Sequence, residues 1–129
     1  MSKIQRFEDL EAWKISRELT KEIYRVSTGE KFACDYGLRD QIRPAAVSIM
    51  SNVAEGFERD GDKEFIQFLY IAKASCGEVR SQLYVAFDQN YISESDFNLI
   101  YTESIENSRV ISGLIKYLKQ CELTGKKYK

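Results

Sequence analysis

Residues 65–86 read FIQFLYIAKASCGEVRSQLYVA. Within this stretch Phe65, Leu69, Ala72, Cys76, Val79, Leu83 and Ala86 follow one another at alternating steps of four and three. That rhythm places all seven on one side of an α-helix, in a heptad seam sustained through three repeats. A strand would need apolar residues at every second position, and here they are not. The seam predicts a helix over 62–90, on the order of 40 Å long at about 1.5 Å per residue. Asp62 is its expected N-cap and Gly61 its turn residue. A seam this long must bury itself against other helices.

Upstream, Leu38, Ile42, Ala45, Ile49 and Val53 form a similar stripe and predict a helix over 36–57, with Asp35 as its cap and Gly56 at its end. Pro44 lies inside this pattern. Either it kinks one helix near residues 40–43, or it opens a new helix as a first-turn proline; the apolar spacing on both sides favours the single kinked helix. Further upstream, Ala12, Ile15, Leu19, Ile23 and Val26 predict a helix over 9–27, capped by Asp9 and stopped by Gly29. Downstream, Ser93-Glu94-Ser95-Asp96 resembles a capping box and opens a helix over 94–121, with Phe97, Tyr101, Ser104, Ser108, Ile111, Ile115 and Leu118 as its seam. The tail from Gly125 is basic and expected to fray. Short loops between four such helices give an all-α, up-down-up-down antiparallel four-helix bundle in a single domain spanning 1–129.

Composition bounds the chemistry. The chain of 129 residues has one proline, seven glycines and a net charge of −1. No apolar run approaches the roughly 18 residues of a membrane span, and residues 1–6 have no signal-peptide core, so a cytoplasmic protein is expected. Cys34, Cys76 and Cys121 have neither disulfide nor zinc spacing and read as free thiols. There is no histidine, and with it go the commonest general base and the commonest metal ligand. No phosphate-cradling glycine loop or nucleophile–base set occurs. Cys76, inside the seam, reads as a small core residue. No catalytic residue, metal, cofactor or small-molecule substrate is therefore expected.

Binding surfaces are better represented. Lys14, Arg17, Lys21 and Arg25 fall at steps of three, four and four and make one basic edge, and Lys73 and Arg80 stand one heptad apart. Such residues can track a phosphate backbone. With Glu11, Glu18 and Glu22 beside them they can equally form a solvated, salt-bridged face. Ser48, Asn52 and Glu55, with Ser75, Glu78 and Gln82, form two polar stripes beside the apolar seams. A hairpin centred near residues 58–60 would set Arg39 or Arg43 opposite Glu78. Apolar residues also lie outside the seams: Val47, Met50 and Ala54 on one helix, and Ile66, Phe68, Tyr70 and Ile71 on the next. Association with further copies of the chain would cover them. Tyr24, Tyr70, Tyr84, Tyr91, Tyr101 and Tyr117 are too many for one narrow core, which points the same way.

The segments Phe7-Glu8-Asp9-Leu10-Glu11-Ala12-Trp13-Lys14, Tyr36-Gly37-Leu38-Arg39-Asp40-Gln41-Ile42-Arg43, Ala45-Ala46-Val47-Ser48-Ile49, Ser51-Asn52-Val53-Ala54-Glu55-Gly56 and Glu64-Phe65-Ile66-Gln67-Phe68-Leu69-Tyr70-Ile71-Ala72, followed by Ser75 and Glu78, resemble the four-helix-bundle proteins encoded in intervening sequences of bacterial 23S ribosomal RNA genes. The chain is similar, more distantly, to accessory proteins of diversity-generating retroelements. The resemblance implies a ring of identical subunits, a homopentamer, with RNA or DNA as the suggested partner. Pro44 departs from the pattern by standing where the family more often carries a basic residue, and Met50 by standing where it often carries proline.

Overall fold

The computed structural model describes residues 4–125. Among them the regular structure is helical: a 3-10 turn at Phe7–Asp9, then α1 (Glu11–Ser27), α2 (Glu30–Cys34), α3 (Tyr36–Glu58), α4 (Asp62–Asp88) and α5 (Glu94–Thr124). The four long helices pack together around one core. α1 lies against α3 and α5, and α4 lies against the same two.

All seven residues of the α4 seam have no exposed surface. Around them pack Leu19 and Ile23 of α1, Ile42, Ile49 and Val53 of α3, and Ile100, Ile111 and Leu118 of α5, all equally buried. Each such side chain gains about 1.5–3 kcal/mol over an exposed one. Cross-helix pairs set the register. Ser75 Oγ lies 3.1 Å from Ser48 Oγ, and Gln82 Nε2 donates to Gln41 Oε1. Ser104 Oγ donates to Cys76 O, and Lys119 Nζ donates to Tyr70 Oη. Ser16 meets Asn107, Arg25 meets Asp96, Thr20 Oγ1 donates to Ala46 O, and Arg43 Nε donates to Ser27 Oγ.

Several boundaries differ from the sequence reading. Asp9 closes the 3-10 turn, and Leu10, which offers no side-chain acceptor, stands at the α1 N-cap. Gly29 does not simply stop α1; it opens α2, whose Phe32 is fully buried. Five residues are too few to show a period, so α2 left no pattern to read. α3 runs unbroken through Pro44 and continues past Gly56 to Glu58. At the start of α4 the cap position belongs to Gly61, with φ 123° in the region that favours glycine, and Asp62 is the first helical residue. α4 ends at Asp88, and α5 extends to Thr124. Two caps are as read: Asp35 Oδ1 accepts from Leu38 N, and Ser93 Oγ accepts from Asp96 N. Asp35 also accepts from Tyr91 Oη at 2.9 Å, tying the start of α3 to the loop before α5. Gly125 caps α5 in the left-handed conformation; the rest of the basic tail, 126–129, lies outside the described residues.

The first half of the α5 seam is also shifted. Ile100, Ser104, Asn107 and Ile111 are the buried set, whereas Phe97, Tyr101 and Ser108 are only half-buried. Phe97 and Tyr101 stack with Tyr84 and Phe87 in an aromatic cluster on the flank of α4 and α5. Ser16 Oγ lies 2.6 Å from Ala12 O and 3.1 Å from Asn107 Oδ1, so its one proton is shared between two acceptors, and Asn107 Nδ2 is buried without a partner among the described residues.

The three thiols are free, with Cys34 exposed and Cys76 and Cys121 buried. Burial pushes Cys76 up to about 12. In a thiol-reagent titration near pH 8, about where free thiols ionise, one thiol, Cys34, is expected to react in the native protein and all three after unfolding. Fast labelling of Cys76 in the native state would show that the seam opens.

Candidate functional site

The expected basic edge of α1 is largely neutralised. Lys21 Nζ lies 3.6 Å from Glu18. Arg25 donates to both Glu22 and Asp96, and these bonds push its pKa further up. Lys14 lines a groove between α1 and α5 with Glu11, Glu18, Glu103 and Glu106, four carboxylates to one ammonium. Desolvation, then Glu22 and Glu18, raise the Glu103 carboxyl above its ordinary range, so this groove favours protons over anions. Arg17 lies over the Trp13 ring at 5.7 Å. The i,i+3 partners were visible in the sequence; Asp96, Glu103 and Glu106 reach α1 only through the fold.

Lys73 and Arg80 part company. Arg80 is half-buried, and its Nη1 donates to Ser104 Oγ at 3.1 Å and Ser104 O at 3.4 Å, which pins α4 to α5. Lys73 stays exposed and lines a cleft of about 240 Å³ with Tyr70, Ser112, Ile115, Lys116 and Lys119. Lys116 and Lys119 belong to neither basic set expected from the sequence. Their three-residue spacing on α5 is legible, but their meeting with Lys73 is not.

The polar stripes form a seam between α3 and α4. Asn52 Nδ2 donates to Ser48 O and lies 3.0 Å from Ser48 Oγ, which faces Ser75. Gln82 bridges Gln41 and Glu78. Glu55 pairs with Arg59. The expected opposition of Arg39 or Arg43 to Glu78 does not occur. Arg39 turns to Asp40, Ala33 O and the Tyr36 ring, and Arg43 to Ser27 and the Tyr24 ring. Both arginines take partners from α1, α2 and α3 itself.

Of the apolar residues assigned to an interface, Ile66 is buried in the core. Phe68 is half-buried, its Cβ against Gly56 and its ring under Arg59. Met50 is half-buried and Tyr70 faces the lysine cleft. Ile71 stands 50% exposed, and Val47 37%. From Pro44 to Ala54, α3 carries no charged residue on any side, and Pro44, Val47 and Ser51 are exposed there. From Phe65 to Gly77, α4 carries one charge, Lys73. Among the described residues no group of acidic, cysteine or histidine side chains is placed to hold a metal ion, and no helix is long and apolar enough to cross a membrane.

The family described as 23S rRNA-intervening sequence protein matches residues 8–113. The chain belongs to that family. Its match to the 23S rRNA-intervening sequence proteins takes in α1 to α4 and most of α5. A solved structure titled a protein with unknown function from the S23 ribosomal protein family, from Bacteroides thetaiotaomicron, is similar in fold. The TM-score is 0.75 at 22% identity, over 81% of this chain and 95% of that one. No curated protein matches. Family membership agrees with the all-helical architecture. Ser48, Asn52 and Gly56 of α3 and Phe65, Phe68 and Ser75 of α4 line the contact between these two helices, inside the matched span.

Proposed function

We propose that this 23S rRNA-intervening sequence protein is a non-catalytic binding module that assembles with copies of itself through the outward faces of α3 and α4. The reading rests on the uncharged run from Pro44 to Ala54. A helix facing water on one side normally carries charge there, and a helix uncharged on every side is normally covered on every side. Depletion of charge is also what marks the centre of a protein interface. Ile71 on α4 adds exposed apolar surface beside the Ser48–Ser75 seam. Within each subunit we take the long helices as up-down-up-down. In support, residue numbers fall on one helix as they rise on its neighbour, as in 41–82 and 48–75, or 16–107 and 25–96. The family resemblance sets five as the expected subunit number. The free thiols suit a reducing, cytoplasmic setting.

The test is charge insertion. Val47→Glu with Ile71→Glu places carboxylates at positions already exposed in the subunit, so helicity should persist. In light scattering after size exclusion, the mass should fall to that of one 15.0 kDa chain. An oligomer unaffected by both charges would move the interface elsewhere.

A second reading, association with nucleic acid, keeps one specific support. The cleft that Lys73, Lys116 and Lys119 line with Tyr70 has no acidic residue among its described lining, whereas Lys21 and Arg25 of the α1 edge are paired with carboxylates.

A further inference from the structure

Lys73 of α4 and Lys116 and Lys119 of α5 line one cleft, and none of its lining residues is acidic. All three lysines are exposed. The ion pairs seen among the described residues are made by other cations, such as Lys21, Arg25, Arg59 and Arg109. In a chain with a net charge of −1, this is a local positive site. Like charges gathered without a counter-ion repel, and an anion bound among them relieves that repulsion.

The cleft wall is partly ordered in advance. Lys119 Nζ donates to Tyr70 Oη at 2.6 Å and lies 5.2 Å from the centre of the Tyr70 ring. One ammonium is thereby held in place, and less side-chain freedom is lost on binding. Ser112 adds a hydroxyl donor. The Tyr70 side chain, 45% exposed, sets an aromatic ring beside the cations. Cations that follow a backbone beside an aromatic ring that accepts a base are the elements of single-strand binding. Duplex recognition would instead call for a helix or ribbon presented to a groove.

We propose that the α4–α5 cleft is a phosphate-binding subsite for single-stranded nucleic acid. Lys73, Lys116 and Lys119 contact phosphate oxygens, and Tyr70 stacks against a base. The proposal rests on the nucleic-acid reading and gives it a place; it does not depend on self-association.

Fluorescence anisotropy of labelled oligo-U and oligo-dT is measured against salt for the full chain and for Lys73→Ala, Lys116→Ala and Lys119→Ala, singly and together. Circular dichroism checks that the exposed substitutions leave the helices intact. Wild type should bind at low salt and weaken as salt rises. Each lysine removed should flatten the logarithmic salt dependence by about 0.7; Tyr70→Phe, which keeps the ring but loses the bond that holds Lys119, should weaken binding modestly, and Tyr70→Ala should weaken it further, both with the slope unchanged. Lys21→Ala, which removes a paired lysine, should change neither. If the triple variant keeps wild-type affinity and slope, the cleft is wrong while the nucleic-acid reading stands. If wild type binds no strand at low salt, both fall. If inorganic phosphate displaces the strand at equal phosphate concentration, the site belongs to a free phosphate compound and the strand assignment is overturned.

Discussion

Leu69→Ala is expected to lower the unfolding free energy by about 2–5 kcal/mol, and Leu83→Ala by a similar amount. Both leucines have no exposed surface and belong to the seam of α4, against which α3 and α5 both pack. Truncation removes buried methyl groups and leaves a cavity between long helices, whose register is held by pairs such as Ser48–Ser75 and Cys76–Ser104. The site therefore has little freedom to collapse, which puts the cost above the transfer term alone. Urea denaturation at one fixed protein concentration measures it, since association makes apparent stability concentration-dependent. A cost under about 1 kcal/mol at both positions would mean the seam is not the core.

Gly56→Ala should also destabilise, against the usual sign. Inside a helix, alanine is normally favoured over glycine by about 1 kcal/mol. Here an added Cβ would lie 2.7 Å from Phe68 Cβ and 3.0 Å from the Phe65 ring. A Cβ is fixed to its backbone and has no rotamer by which to retreat, so α3 and α4 must move apart along the Ser48–Ser75 seam. Overpacking of this kind typically costs about 1–3 kcal/mol, enough to outweigh the propensity gain. Gly113 is the control. An added Cβ there meets nothing within 4 Å, so Gly113→Ala should stabilise by roughly 0.5–1 kcal/mol. Thermal or urea midpoints for the two variants should move in opposite directions. A stabilised Gly56→Ala would contradict the close approach of α3 and α4.

What was legible in the sequence follows from how each signal is generated. The α4 seam is a local period, and its seven residues are all buried. The start of α5 was read one helical position away because Phe97 and Tyr101 are aromatic and look like core. Their rings instead meet Tyr84 and Phe87 on the flank, and the buried positions go to Ile100 and to the polar Asn107. A buried asparagine whose carbonyl oxygen meets a serine on another helix has no signature along the chain. Gly56 looked like a stop because glycine often ends helices; here it is the contact point of two helices.

Charge behaved similarly. Spacing showed which cations share a face but not which carboxylates the fold would bring to them. Asp96 and Glu103 reach α1 from far along the chain, whereas Lys116 and Lys119 reach Lys73 with no acid between them.

The proposed self-association is decided by sedimentation equilibrium of the unmodified protein at micromolar concentration. The expected mass is well above the 15.0 kDa of one chain, and near five times that value for the ring the family resemblance implies. A mass of 15.0 kDa, unchanged with concentration, would contradict it.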